Sequence, residues 1–308
     1  MKVILFSILF FFIFKSFALA QTSRNIDIWS DGTRMSGNIF FPKDFDINSS
    51  NPAILMTHGW GGKRKDLNKY YVSNFVKAGF IVMTFDYRGW EDSDSRLVTI
   101  GEQPNFKINM EALVKVKVIR EVVDPIDQTR DIISALDYLS GEPGVDVTKI
   151  GLWGTSYSGG HVIYVAAQDE RVSAIYSQVS FQGIGLIDSG ELSKKRAIQK
   201  ARGEIDPIPS GLDKIPNLDG SPDFAKMYNY IPLNWAKNVT VPTLIVDVNS
   251  EELFDRVKNG RAAYEIIKNN AIAEYKLFDG SHYDIYYKYF DDTNKLAVEW
   301  FTRHLMTN

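Results

Sequence analysis

Cysteine is absent from this chain of 308 residues. That excludes disulfide bonds, thiolate nucleophiles, iron–sulfur clusters, cysteine zinc sites and lipid attachment through a cysteine. Histidine is scarce, so any imidazole chemistry must fall on His58, His161, His282 or His304. A run long enough to cross a bilayer is missing as well: the apolar block Val3 to Phe14 is about a dozen residues, short of the roughly 18 required. Neither sign of charge dominates. Lys and Arg number 35 against 38 Asp and Glu, a formal charge of −3, with none of the basic surplus that nucleic acid attracts. Internal repeats, low-complexity tracts and linkers are lacking, and no motif calls for a metal or a cofactor.

What is present starts with an address. Lys2, the apolar block and Ala18-Leu19-Ala20 before Gln21 match a secretory signal with a small-residue cleavage site. The expectation is a signal peptide over 1–20, a mature chain from Gln21, and an exported protein, periplasmic or secreted, with no membrane span after cleavage. Cleavage removes Lys2 and Lys15 and no acid, leaving 33 bases against 38 acids and a formal charge of −5. Residues 21–308 have the length and apolar content of one α/β domain.

Residues 25–42 alternate polar and apolar around Asp31-Gly32, which predicts a hairpin of edge strands with a type I′ turn. Pro52 to Thr57 and Phe80 to Asp86 are short continuous apolar runs, as in strands buried on both faces of a parallel sheet. Leu67, Tyr71 and Phe75 recur between them at helical spacing. The alternation resumes with a helix face at Ile132, Ile133, Leu136 and Leu139, a strand over 149–153, a helix over 162–167 and a strand over 172–179. A strand over 243–248, a helix carrying Leu253, Val257, Ala263 and Ile267, a strand over 273–278 and a last helix with Ala297, Trp300 and Phe301 complete it. This order predicts a mostly parallel central sheet with helices on both faces. Two stretches break the rhythm, 96–123 and 181–236; the second, rich in Gly and Pro, reads as a lid-like insertion.

The chemistry concentrates at Gly151-Leu152-Trp153-Gly154-Thr155-Ser156-Tyr157-Ser158-Gly159-Gly160. An apolar strand runs into a tight turn with Ser156 at its apex and a helix directly behind, which exposes the hydroxyl beside the free N–H groups of a helix start. The relaxed pattern arises by chance roughly 0.3 times in a chain of this length, so its weight comes from context. The general base emerges by exclusion. His58 stands in a turn, His161 lies five residues past Ser156 on the same helix and roughly 140° around it, and His304 ends the last helix. His282 follows the last strand, at the carboxyl edge of the sheet where Ser156 also sits.

An imidazole needs a carboxylate on its other nitrogen. The loop after 243–248 offers Glu251, Glu252 and Asp255; Glu251 is preferred, three residues past the strand end, while Asp247 inside the strand reads as structural. The expected oxyanion donors are two backbone N–H groups, that of Tyr157 and that of Trp60 in the glycine-rich loop His58-Gly59-Trp60-Gly61-Gly62. Asp86-Tyr87-Arg88-Gly89 reads as a structural hydrogen-bonding corner.

Taken in order, Thr57-His58-Gly59-Trp60-Gly61-Gly62, Phe85-Asp86-Tyr87-Arg88-Gly89, the Ser156 turn, Glu251-Glu252-Leu253-Phe254 and Ser281-His282-Tyr283-Asp284 resemble the α/β-hydrolase superfamily. The likeness is to its branch of dienelactone-hydrolase-like and Xaa-Pro-dipeptidyl-peptidase-like hydrolases, over roughly residues 25–305. It implies an α/β-hydrolase fold with Ser156 as nucleophile, His282 as base and Glu251 as acid. Two positions depart from the pattern: Ser158 replaces the last glycine of the turn, and Glu91 stands where many relatives have a second glycine after Arg-Gly. Full-length Xaa-Pro peptidases carry a large extra β domain for which these 308 residues leave no room, which turns the expectation towards ester or lactone hydrolysis of a small acyl substrate. The alternatives are an acyltransferase on the same triad, an Xaa-Pro-type peptidase, and a non-catalytic binding protein on the same fold.

Overall fold

A computed structural model describes residues 23–102, 105, 111–185 and 190–306. The expected signal peptide over 1–20 lies outside them. The strands are β1 (Ser23–Ser30), β2 (Thr33–Phe40), β3 (Asn51–Thr57), β4 (Ile81–Phe85), β5 (Arg96–Thr99), β6 (Val116–Ile119), β7 (Val122–Val123), β8 (Val145–Thr155), β9 (Val172–Gln178), β10 (Ser221–Pro222), β11 (Thr243–Val248) and β12 (Ala273–Phe278). The helices are α1 (Arg64–Tyr70), α2 (Val72–Lys77), α3 (Pro125–Ser140), α4 (Tyr157–Ala166), α5 (Gly190–Ala201), α6 (Phe224–Met227), α7 (Gly260–Ile267) and α8 (Phe290–Leu305). Single 3₁₀ segments run over Pro232–Asn238 and His282–Tyr286.

Eight strands form one sheet in the order β1-β2-β4-β3-β8-β9-β11-β12. β1 and β2 are antiparallel to their neighbours, and every pair from β4 to β12 is parallel. The first hairpin closes as expected: Asp31 and Gly32 both have positive φ, 46° and 79°, the requirement of a type I′ turn. Of the two hairpin strands only β1 lies at an edge, because β2 also pairs with β4. Continuous apolar runs are needed in the parallel strands because successive side chains serve opposite faces. Leu55, Met83, Leu152, Ile175 and Ile245 pack towards α3, α4 and α7, while Ile54, Val82, Trp153, Tyr176 and Val246 pack towards α2 and α8 through Phe75, Trp300 and Phe301.

Two expected helices differ in extent. Leu67, Tyr71 and Phe75 are all buried, but the segment divides at Tyr71 into α1 and α2. Leu253 and Val257 precede a helix instead of sitting on it, since α7 begins only at Gly260. The periodicity was apolar but not helical there, because the turn that carries the acids needs those residues in irregular backbone.

The two stretches outside the alternation pack on each other. β5 and β6 form a hairpin, and β7 pairs with β10 of the later segment. Ser210 donates to the Arg120 carbonyl at 3.1 Å, and Lys117 pairs with Asp206. The lid-like segment thus rests on the 96–123 excursion and, among the described residues, contributes Phe181 and Leu218 to the main pocket.

Buried charge ties α1 and α3 to the chain that follows β4. Asp86 accepts from the Arg64 N–H at 2.8 Å and from Arg64 Nε at 2.9 Å. Asp131, fully buried on α3, accepts from Arg88 Nε at 2.7 Å and from the Arg88 N–H at 3.0 Å. Burial pushes the Asp131 carboxyl up to about 6 against the pull of Arg88. The corner expected at 86–89 is therefore a pair of buried ion pairs holding the chain just past the carboxyl end of β4. Arg88→Met strands the Asp131 carboxylate, and a cost of about 3–5 kcal/mol in urea unfolding is expected.

Candidate active site

Four loops leave the carboxyl ends of β3, β8, β11 and β12, and they carry the predicted site residues to one place. Ser156 sits between β8 and α4 with φ 55° and ψ −121°, a conformation that costs on the order of 1–3 kcal/mol for a residue with a Cβ. Its backbone is over-determined: the N–H donates to the Gln178 carbonyl at 2.9 Å, and its carbonyl accepts from Gly159 at 3.0 Å and Phe181 at 3.1 Å. Crowding demands the small residues around it. A Cβ on Gly154 would lie 2.5 Å from the Ser158 carbonyl, and one on Gly160 2.1 Å from that of Phe181.

Ser158, at the departure from the glycine pattern, is fully buried, donates to the Thr57 carbonyl at 3.1 Å and also bonds the Thr57 hydroxyl. It stitches the start of α4 to the end of β3. Glu91, the other departure, adopts φ 41°, a left-handed conformation that explains a glycine preference, and its carboxylate pairs with Lys63 at 2.8 Å.

The hydroxyl of Ser156 lies 3.1 Å from His282 Nε2, and His282 Nδ1 lies 2.8 Å from Glu251 Oε2. A carboxylate only accepts, so Nδ1 carries the proton and Nε2 is free to accept from Ser156. Both side chains of the pair are 2% exposed, whereas Ser156 is half-buried and reachable. Glu251 is held by the Leu253 N–H at 3.0 Å. Glu252 does not compete for the imidazole; its carboxylate accepts the His282 backbone N–H at 2.7 Å and so anchors the residue that carries it. Asp255 turns back on the Val257 N–H at 2.9 Å. Asp247 is buried in β11, accepts from the Tyr275 hydroxyl at 2.8 Å, and is pushed up to about 7 by burial.

Gly59 shows how closely the β3 loop passes Ser156, because a Cβ there would lie 2.9 Å from Ser156 Cβ and from the Thr155 carbonyl. Trp60 follows, its indole donating to the Asp219 carbonyl at 2.8 Å and its ring 5.1 Å from that of Tyr157. Among the described residues no backbone carbonyl accepts the Trp60 N–H, and Tyr157 is the first residue of α4, where an N–H has no intrahelical partner. The pocket over Ser156 measures about 430 Å³; Tyr71, Phe181, Leu253, Phe254, Tyr283 and Tyr286 give it an apolar wall.

The remaining histidines are accounted for. His58 is buried, with Nδ1 3.1 Å from the Gly59 carbonyl and burial lowering its pKa. The His304 ring lies tilted against that of Trp300, 4.2 Å away. His161 is fully buried on α4, with Nδ1 2.5 Å from the Tyr230 hydroxyl and Nε2 3.1 Å from Gln128 Oε1.

Sequence reasoning missed Glu252 as the anchor of the base, although its adjacency to Glu251 had drawn attention to it. It also missed Asn259, a buried amide that accepts from the Gln182 N–H at 2.7 Å and donates to the Asp255 and Ile184 carbonyls at 2.8 Å each, tying the acid loop to the 181–236 segment. No local pattern marks such a residue.

The match to known proteins follows this geometry. Residues 31–192, 162 of the 308, match the family described as X-Pro dipeptidyl-peptidase (S15 family). The chain belongs to that family. An Escherichia coli relative described as an uncharacterized 31.7 kDa protein in the traX-finO intergenic region is 28% identical over 289 residues, covering 84% of this S15 chain and 93% of that protein. The quorum-quenching protein AidA of Acinetobacter baumannii is 29% identical over 161 residues, 52% of this chain and 45% of its own length. Among solved structures, the DcsB complex with its substrate analogue matches with a TM-score of 0.70 at 18% identity, covering 92% of this chain and 99% of that one. A Pyrococcus furiosus esterase matches with a TM-score of 0.59 at 16% identity, covering 93% and 92%. These likenesses show the α/β-hydrolase fold.

Burial holds the His161 imidazole neutral, its pKa down to about 3 against an ordinary 6.5. Between those values the unfolded chain takes up a proton that the folded one refuses, so this contribution to stability, full above pH 6.5, is lost as the pH falls towards 3. His161→Gln keeps hydrogen-bonding capacity without titrating. The stability gap between wild type and this variant, measured by urea unfolding, is expected to shift in favour of the variant as the pH is lowered from 7 to 4.

Proposed function

We propose that this S15-family protein is a serine hydrolase of carboxylic esters or lactones. The observation that carries the reading is the unbroken relay from Ser156 Oγ through His282 to Glu251 on the floor of an apolar pocket. His282 Nε2 takes the Ser156 proton as Oγ attacks the acyl carbon. Glu251 holds the tautomer and stabilises the imidazolium that forms. The Trp60 and Tyr157 N–H groups receive the developing oxyanion. His282 then passes the proton to the leaving oxygen, and water, deprotonated by the same imidazole, releases the acyl group. The name of one relative agrees with hydrolysis: thiohydrolase, for a protein of Aspergillus aculeatus 29% identical over 147 residues, 48% of this chain and 38% of its own. From the signal read at 1–20 we propose that the protein is exported; N-terminal sequencing of the secreted chain is expected to begin at Gln21.

Fluorophosphonate is expected to label Ser156, and Ser156→Ala to lose both labelling and turnover of short-chain aryl esters; undiminished turnover would remove Ser156 from the mechanism. Glu251→Gln lets the imidazole adopt the wrong tautomer, and kcat should drop on the order of 10³–10⁴-fold. Product analysis with added alcohol separates hydrolysis from acyl transfer.

A further inference from the structure

The pocket over Ser156 does not end at its own wall. A second cavity of about 410 Å³ opens beside it, lined by Asp66, Tyr70, Tyr71, Tyr286, Tyr287 and Phe290. Four of these, Asp66, Tyr71, Tyr286 and Tyr287, line the first pocket too, so the two are continuous. The rings form an open aromatic trough: Tyr71 and Phe290 are edge to face at 5.1 Å, Tyr70 and Phe290 at 6.4 Å. Tyr70 and Tyr287 are 48% and 79% exposed, a large apolar area left to water. Tyr286 is fixed, its hydroxyl 2.7 Å from Thr155 Oγ1. The opposite flank of the pocket, beyond Gly61 and Lys63, leads to a cavity of about 380 Å³ with Glu91, Glu121, Lys214 and Asp219 in its lining, a polar place by contrast.

Which part of a substrate enters the aromatic trough follows from where the proton must go. In acylation the Ser156 Oγ–carbon bond forms, the Ser156 proton moves to His282 Nε2, and from there it moves to the leaving oxygen as the carbon–oxygen bond breaks. The leaving oxygen must therefore stand on the imidazole side of Ser156. His282 opens the 3₁₀ segment His282–Tyr286, so the element that carries the base also brings the Tyr286 ring within 6.0 Å of the imidazole, with Tyr287 next along the chain.

Resting on the serine-hydrolase reading above, we infer that the trough of Tyr71, Tyr286, Tyr287 and Phe290 is the leaving-group subsite, and that the preferred substrates are esters whose alcohol portion is an uncharged aryl-alkyl or extended alkyl group. Apolar area buried there is area taken from water on both partners. Because the alcohol departs on acylation, the subsite acts on that step alone. A residue that bound the acyl group would act on acylation and deacylation alike.

The test uses the full chain and acetates of alcohols with similar leaving ability: ethyl, hexyl and 2-phenylethyl. The expected kcat/KM rises about tenfold or more from ethyl to hexyl and to 2-phenylethyl acetate. Tyr287→Ala, at an exposed position that folding does not depend on, is expected to lower kcat/KM for 2-phenylethyl acetate about fivefold or more, with a smaller loss for ethyl acetate. The breakdown rate of the shared acetyl-enzyme, read from burst kinetics with p-nitrophenyl acetate, should stay within about twofold. Tyr287→Trp is expected to restore the preference. Hydrolysis of all three acetates at equal kcat/KM, or a Tyr287→Ala loss that appears equally in deacylation, overturns the subsite assignment while leaving the hydrolase reading standing. Absence of turnover on every ester together with an unlabelled Ser156 overturns both.

Discussion

A serine held at positive φ between a buried strand and a helix is the constraint on which the rest of the site depends. Ser156 occupies a backbone conformation that costs energy, and it stays there because neighbours on three elements leave it no alternative. β9 supplies the Gln178 carbonyl, the chain just after β9 supplies the Phe181 N–H, and β3 is bound in through the Thr57–Ser158 hydrogen bonds. Ser158 shows how a departure from a pattern can serve it. A glycine there would satisfy the turn, whereas a buried hydroxyl also links α4 to the end of the strand that carries the Gly59–Trp60 loop. The Ser156 hydroxyl and the Gly59–Trp60 loop are thereby held by one joint.

Around that joint the loops are fastened mainly by polar groups that face inward. Arg64 and Arg88 reach back to Asp86 and Asp131, Glu252 grips the His282 backbone, and Asn259 ties the acid loop to the long segment that ends the β9 side of the pocket. Irregular backbone needs its N–H and carbonyl groups satisfied wherever water is excluded, and side chains do this where no strand or helix can. The aromatic residues have a different task. Tyr157, Phe181 and Phe254 close one wall by ring contacts at 5.7 and 5.4 Å, while Tyr70 and Tyr287 remain open to solvent at the other end of the same continuous space.

Much of this was legible beforehand, for identifiable reasons. The parallel strands announced themselves because burial on both faces forces continuous apolar runs such as Pro52 to Thr57. The Asp31-Gly32 turn announced itself because few residues tolerate two positive φ values in succession. His282 could be picked out because only four histidines exist and three had other places to be. The helix carrying Leu253 and Val257 was misread because an apolar spacing of four does not distinguish a helix from a buttressed turn. Tyr71, where one expected helix became two, was misread because a break of one residue leaves no mark in periodicity. Glu252 and Asn259 bind backbone atoms distant in sequence, and no pattern local to them records that.

The sequence by itself determined the layered α/β architecture and the chemical inventory: one turn-mounted serine, one histidine in the loop after the last strand, a short set of acids between them, and no thiol. These are local or compositional properties, set by side-chain size, backbone tolerance and hydrophobic period. Only the tertiary structure decided which acid faces the imidazole, since Glu251 and Glu252 are neighbours on the chain and differ in the direction the turn after β11 points them. It also decided that the aromatic trough joins the pocket over Ser156. Tyr71 and Phe290 are more than 200 residues apart, and their rings meet because α1, α2 and α8 pack on the same face of the sheet.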